Sequence, residues 1–100
     1  MVFSMSDFGT SLCTRSSGRR VYDVVSSSMG PSGAVVVFDF SGVLTVTNSF
    51  ADEVFGRLAF EHGMDFLREN TKFANIDRFS AMVVRDVMES RNARRETVCC

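Results

Sequence analysis

The spacing of apolar residues predicts four extended segments. Residues 2–5 alternate apolar and polar side chains, which is typical of a short strand at a sheet edge. Residues 34–40 (AVVVFDF) are mostly β-branched or aromatic, with apolar side chains on both faces, so they predict a central strand covered on both sides or mostly so. Residues 43–47 fit a short strand or an extended connector, and residues 71–75 fit a strand with Phe73 inward.

Helical spacing predicts the segments that lie between the strands. Residues 15–29 fit a helix with Ser16 or Ser17 as its N-cap, and Asp7 fits the cap of a short helical turn through Leu12. Residues 49–62 fit a second helix, with Asn48 or Ser49 as its N-cap.

The last predicted helix runs from a cap at Asp77 to about Asn92. Its apolar stripe is formed by Phe79, Val83 and Val87, which we expect to face the core. Residues 93–100 are polar and are predicted to form a disordered tail, so residues 1–92 are predicted to be a single domain. Residues 30–33 (GPSG) form a loop within that domain.

Alternating strands and helices with short connections predict an α/β fold. We expect a small layered fold with a mixed or mainly parallel central sheet of about four strands and about three helices.

Charge and composition exclude several function classes. The net charge of −1 gives no general attraction to nucleic acid or anionic lipid, so neither partner is predicted. The longest apolar run, residues 34–38, is too short to span a membrane. The first nine residues have neither a basic start nor a sustained apolar run, so we expect no secretory signal and a cytoplasmic location.

Several polar residues lie between the end of the central strand and the start of the second predicted helix. Such strand ends are common ligand or partner sites in α/β proteins. Ser49, which follows Asn48, is interpreted from its position as a structural N-cap. Asp39 is expected to orient the Ser49 loop by hydrogen bonding. Asp52 and Glu53 point about 100° apart on a helix and are expected to be solvated carboxylates.

A second polar cluster precedes the first helix. It has the chemistry to bind a phosphate or an acidic partner, but it lacks a phosphate-loop glycine pattern, so a plain solvated helix start is the favoured interpretation. Its candidate binding residues are Arg15, Ser16, Ser17, Arg19 and Arg20.

Catalytic and metal chemistry is not predicted. The chain has one histidine, His62, and its cysteines (Cys13, Cys99 and Cys100) have no metal-ligand spacing. No nucleophile–base pair can be proposed from these residues, so we predict a protein that is not an enzyme and needs no cofactor or metal.

The chain resembles the STAS-like domain family of unknown function. The resemblance lies in Asp39, Phe40, Gly42 and Val43, in the Ser-Phe-Ala-Asp-Glu block of residues 49–53, and in Asn75. It extends from about Phe3 to Arg91.

More distantly, the chain is similar to STAS domains such as bacterial anti-anti-sigma factors. In those proteins a serine or threonine at the start of a helix is phosphorylated by a partner kinase. The resemblance implies Ser49 as the equivalent residue, and a kinase-like ATPase or another regulator as the partner.

Three hypotheses about function follow. The first is a non-catalytic interaction module of bacterial or phage origin that regulates a protein partner, with phosphorylation as its switch. The second is a phage or mobile-element inhibitor that binds a host complex. The third is a small nucleotide-binding protein. A homodimer through Phe60 and the methionine-rich last helix is also open.

Overall fold

Five short strands form two parallel sheets in the computed structural model, which describes residues 2–29 and 35–98. The strands are β1 (Val2–Ser4), β2 (Ser11–Leu12), β3 (Val36–Asp39), β4 (Thr45–Val46) and β5 (Thr71–Ala74). The larger sheet has the order β1-β3-β5, and β2 pairs with β4 in the smaller one. The α/β class, the edge position of the first strand and the central position of β3 are therefore as predicted.

Five α-helical segments surround these strands. They are α1 (Arg15–Ser28), α2 (Asn48–Ala51), α3 (Arg57–His62), α4 (Met64–Asn70) and α5 (Arg78–Val98). A 3₁₀ turn covers Met5–Phe8, and a π-helical segment covers Asp52–Gly56. The dihedrals at Ala51, Asp52 and Gly56 are all right-handed helical, so α2, the π segment and α3 form the single continuous helix that the sequence predicts.

A row of phenylalanines joins the sheet to this continuous helix. Phe3, Phe38 and Phe73 lie side by side on adjacent strands, with ring centroids 6.2 Å and 5.4 Å apart. Phe55 of the π segment meets Phe38 edge-on at 5.0 Å and also contacts Phe73. Aromatic pairs of this kind add about 0.5–1.5 kcal/mol each to the free energy of area burial.

The sheet is covered more fully on one face than on the other. Val36, Phe38 and Phe40 are buried in the core, but Val37 and Asp39 are only partly buried and Val35 is exposed. The prediction of a strand covered on both sides, or mostly so, therefore holds for the face with Phe38 and only in part for the opposite face. The helices pack on the face of the sheet that holds Phe38, so the opposite face is only partly covered.

Two local predictions also need correction. The helical turn near Asp7 ends at Phe8, because Leu12 pairs in β2. The buried stripe of α5 is Ser80, Val84 and Met88, one residue later than expected, so Phe79 is exposed.

The last helix continues past Asn92 to Val98, where a disordered tail was predicted from residue 93. Its extension is held by Arg95, which donates hydrogen bonds to the carbonyl oxygens of Phe60 and Glu61 near the end of α3.

The predicted cap at Asp77 is confirmed, since its carboxylate accepts from the backbone N–H groups of Phe79 and Ser80. The 30–33 loop, Cys99 and Cys100 lie outside the described residues.

Gly18 sets how closely α1 approaches the continuous helix. A Cβ at this position would lie 2.9 Å from Cβ of Glu53 and 3.0 Å from the carbonyl oxygen of Phe50. Real side chains do not approach so closely, so the two helices pack at this distance only because residue 18 has no side chain.

We expect Gly18→Ala to destabilise the fold. Alanine gains about 1 kcal/mol of helix propensity, but overpacking against Glu53 and the backbone of Phe50 costs up to about 3 kcal/mol, so we expect a net loss of up to about 2 kcal/mol. Urea unfolding followed by circular dichroism measures the difference. Arg20→Ala, at an exposed position of the same helix, is the control and should leave stability unchanged or slightly higher. Equal stability of the two variants would contradict the close contact.

Candidate functional site

Two helices begin side by side at one end of the small β2–β4 sheet. Thr14 caps α1, with its Oγ1 accepting from the backbone N–H of Ser17 at 3.1 Å. Thr47 caps α2, with its Oγ1 accepting from the N–H of Phe50 at 3.4 Å and donating to the carbonyl oxygen of Cys13 at 2.8 Å. One threonine hydroxyl therefore joins the two helix starts. We call residues 14–17 and 47–49 the helix-start surface.

The observed caps correct the predicted ones. Thr14 takes the place of Ser16 or Ser17, and Thr47 takes the place of Asn48 or Ser49. The cause is the strand that precedes α2: Thr47 follows β4 with an extended backbone (ψ 163°), and the helix has already begun at Asn48. Ser49 is thus the second residue of the helix and is partly exposed, while Asn48 is exposed.

Asp52 and Glu53 are ion-paired, not simply solvated. The Asp52 carboxylate accepts from Arg91 Nε at 2.8 Å and Arg91 Nη2 at 2.9 Å, which makes a bidentate pair with α5. Arg15 Nη1 of α1 reaches Asp52 at 3.1 Å and Glu53 at 3.3 Å. Arg57 Nη1 binds Glu53 at 3.2 Å. We call these five side chains the Asp52 network. The prediction that Asp52 and Glu53 are solvated is wrong, because arginines of two helices distant in sequence, α1 and α5, pair with them.

The ion pairs differ in strength because their side chains differ in burial. The side chains of Asp52 and Arg91 are 21% and 23% exposed, whereas that of Arg15 is 57% exposed and is more strongly screened by solvent. Hydrogen bonds from Arg91, with a smaller contribution from Arg15, lower the pKa of Asp52 against the opposing effect of burial. The same bond raises the pKa of Arg91.

Gly56 leaves the space that this pair occupies. A Cβ there would lie 2.6 Å from Asp52 Oδ1 and 3.0 Å from Arg91 Cγ. Within the π-helical segment, the carboxylate of Asp52 therefore lies against α5 next to Gly56, which has no side chain to block it. Such π segments occur often at functional sites.

The remaining candidate residues are only partly brought together. Ser16 and Ser17 lie at the start of α1, and the hydroxyls of Ser16 and Thr14 are 3.3 Å apart. Arg19 and Arg20 lie further along α1, where both are exposed and neither forms an ion pair with residues 2–29 or 35–98.

Asp39 has a different role from the one predicted. Its Oδ1 accepts from the backbone N–H of Ser41 at 2.9 Å and from Asn75 Nδ2 at 3.1 Å, and these two bonds lower its pKa. The carboxylate thus joins the ends of β3 and β5 and does not orient the Ser49 loop. Asn75 adopts a left-handed backbone (φ 55°), a conformation that asparagine tolerates well.

Tyr22 forms a further contact between α1 and α3. Its hydroxyl donates to Glu61, and the guanidinium of Arg57 lies 4.2 Å from its ring centroid. Burial and the Glu61 hydrogen bond raise the pKa of Tyr22 to about 12, so the hydroxyl remains a donor at neutral pH.

Within residues 2–29 and 35–98, His, Cys, Asp and Glu form no group of three that could hold a metal ion. No helix in the same ranges combines the length and apolarity needed to cross a bilayer.

A family comparison matches residues 17–78 to the STAS-like domain of unknown function (DUF4325). The match spans more than half of the chain, so the chain belongs to this family. It includes Asp39, Ser49 and Asp52, and it is narrower than the resemblance from Phe3 to Arg91. No curated protein and no solved structure matches the chain.

The position of the α2 cap is tested by paired alanine substitutions. Thr47→Ala removes the hydroxyl that caps α2 and bonds to Cys13, so we expect a loss of about 1–2 kcal/mol in the free energy of unfolding. Ser49→Ala removes no cap and should change it by less than about 0.5 kcal/mol. Chemical denaturation measures the free energy of unfolding of both variants. A larger decrease for Ser49→Ala than for Thr47→Ala would identify Ser49 as the cap.

Neutralising Asp52 should destabilise the fold above about pH 4. Asp52→Asn weakens a partly buried bidentate pair, so we expect a loss of about 1–2 kcal/mol at pH 7, whereas Asp65→Asn breaks only an exposed pair and should cost less than about 0.5 kcal/mol.

The sign of the pH dependence follows from the lowered pKa of Asp52. The Asp52 carboxylate contributes to the free energy of unfolding above its unfolded-state pKa of about 3.9, and this contribution is lost as pH falls through the lower folded-state pKa. Stability curves of wild type and Asp52→Asn should therefore converge below about pH 4. Thr47→Ala, which changes no charge, should stay parallel to wild type, and a constant offset for Asp52→Asn would contradict the assignment.

Proposed function

Because the chain belongs to the STAS-like family, we propose that it is a non-catalytic module that regulates a protein partner in the cytoplasm by binding it through the helix-start surface. The observation that carries this proposal is the hydrogen bond from Thr47 to Cys13, which places the starts of α1 and α2 next to each other. The first turns of both helices carry unpaired N–H groups and partial positive charge. Ser16 and Asn48 are exposed there, so the surface suits a partner with acidic or phosphate groups.

Phosphorylation of Ser49 is the proposed switch. Asp52 and Glu53 lie three and four residues after Ser49 and thus on the same side of the helix. A phosphate would add roughly two negative charges beside these carboxylates and compete with them for Arg15. The modification would reverse the local charge of the helix-start surface and so release a partner that binds through acidic groups. A kinase-like ATPase, as the family resemblance implies, is the proposed source of the phosphate.

The proposal is tested by comparing captured partners of three proteins. Wild type, Ser49→Asp and Ser90→Asp are immobilised and exposed to lysate of the source cells, and retained proteins are quantified by mass spectrometry. Ser90 is an exposed serine on α5 and serves as the matched control for added charge. We expect one partner to be retained by wild type and Ser90→Asp and reduced about tenfold with Ser49→Asp, equivalent to about 1.4 kcal/mol.

Two results would contradict this function. One is equal retention of the partner by Ser49→Asp, with circular dichroism showing that this variant is folded. The other is turnover of a substrate by the purified chain, or thermal stabilisation by a nucleotide, which marks ligand binding to the native state.

A further inference from the structure

A groove runs along the N-terminal half of α5. One part has a volume of about 210 Å³ and is lined by Met64, Phe73, Ile76, Ala81, Val84, Arg85 and Met88. A second part, with a volume of about 460 Å³, lies along the same helix and is lined by Arg78, Ala81, Met82 and Arg85. Because Ala81 and Arg85 line both parts, the two form one continuous surface, which we call the α5 groove.

The α5 groove and its border expose apolar side chains to solvent. Met82 in the groove is 47% exposed, and Phe79 beside it is 78% exposed. Met64, Phe73 and Ile76 form a floor that packs on the core from below. An apolar floor bordered by exposed methionine and phenylalanine is the surface expected of a binding groove.

Every charged residue that lines the α5 groove is an arginine. Arg78 and Arg85 are exposed, and neither forms an ion pair within the part of the chain that the structure describes. The acidic residues Asp86 and Glu89 of the same helix do not line the groove. Arg78 and Arg85 are seven residues apart, which is about 10.5 Å along the helix axis.

We propose that the α5 groove binds an amphipathic helix of another protein, with two carboxylates about seven residues apart on either side of an apolar residue. The carboxylates would pair with Arg78 and Arg85, and the apolar residue would enter the pocket between Phe73 and Met88. A second copy of this chain is disfavoured, because a twofold contact between two α5 helices would bring arginines together.

This surface is separate from the one proposed above. It shares no residue with the helix-start surface, and its helical wall at residues 81–88 lies beyond the family match, which ends at residue 78. The test of this surface therefore does not depend on Ser49.

Selection from a random peptide library tests the chemistry of the occupant. Displayed peptides of about 16 residues, or about four helical turns, are selected on wild type and then counter-selected on Arg78→Glu/Arg85→Glu. We expect the enriched peptides to carry two acidic residues about seven apart around an apolar residue. Enrichment without this acidic pattern, or no enrichment, would overturn the proposal.

Fluorescence anisotropy with one enriched peptide then tests the pairing. Arg78→Glu/Arg85→Glu should weaken binding at least about tenfold, and a peptide with lysines in place of its two acids should recover binding to that variant but not to wild type. Arg94→Glu, an exposed arginine of α5 outside the groove, is the matched control and should bind as wild type does. Equal weakening of binding by Arg94→Glu would overturn the proposed pairing. Analytical ultracentrifugation tests the other occupant: if wild type is a dimer and Arg78→Glu/Arg85→Glu is a monomer, the groove binds a second copy of the chain and the proposal is overturned.

Discussion

The carboxylate of Asp52 is the point at which three helical segments are tied together. It lies in the π-helical segment and binds Arg91 of α5 through two hydrogen bonds and Arg15 of α1 through one. The contact needs two bare backbones: Gly18 lets α1 approach, and Gly56 leaves space for the carboxylate. The arrangement of α1 beside α2, and hence the helix-start surface, depends on this combination of charge and close packing.

The elements that depend on local pattern could be predicted from the sequence. The central strand follows from β-branched and aromatic residues at 34–40, and the helix from 48 to 62 follows from its apolar spacing. The cap at Asp77 was also predictable, because a carboxylate before a helix is a local signal. The STAS-like family, which the sequence resembles, is confirmed by the family match.

The candidate site was less predictable, because its contacts join residues far apart in the chain. Arg91 and Asp52 are 39 positions apart, so no spacing rule connects them. Thr47 acts as the cap because pairing between β2 and β4 leaves its backbone extended, and Ser49 is a better cap by residue type alone. Phe79 illustrates the same limit: the helical period was right, but its phase was one residue off, and this shift exposes the ring beside the α5 groove.

A double-mutant cycle on Asp52 and Arg91 tests most directly whether this pair holds the helices together. The free energy of unfolding is measured for wild type, Asp52→Ala, Arg91→Ala and the double variant at low salt and pH 7. The structure predicts a favourable coupling of at least about 1 kcal/mol between the two side chains. Additive losses, with a coupling below about 0.3 kcal/mol, would show that the pair does not stabilise the fold.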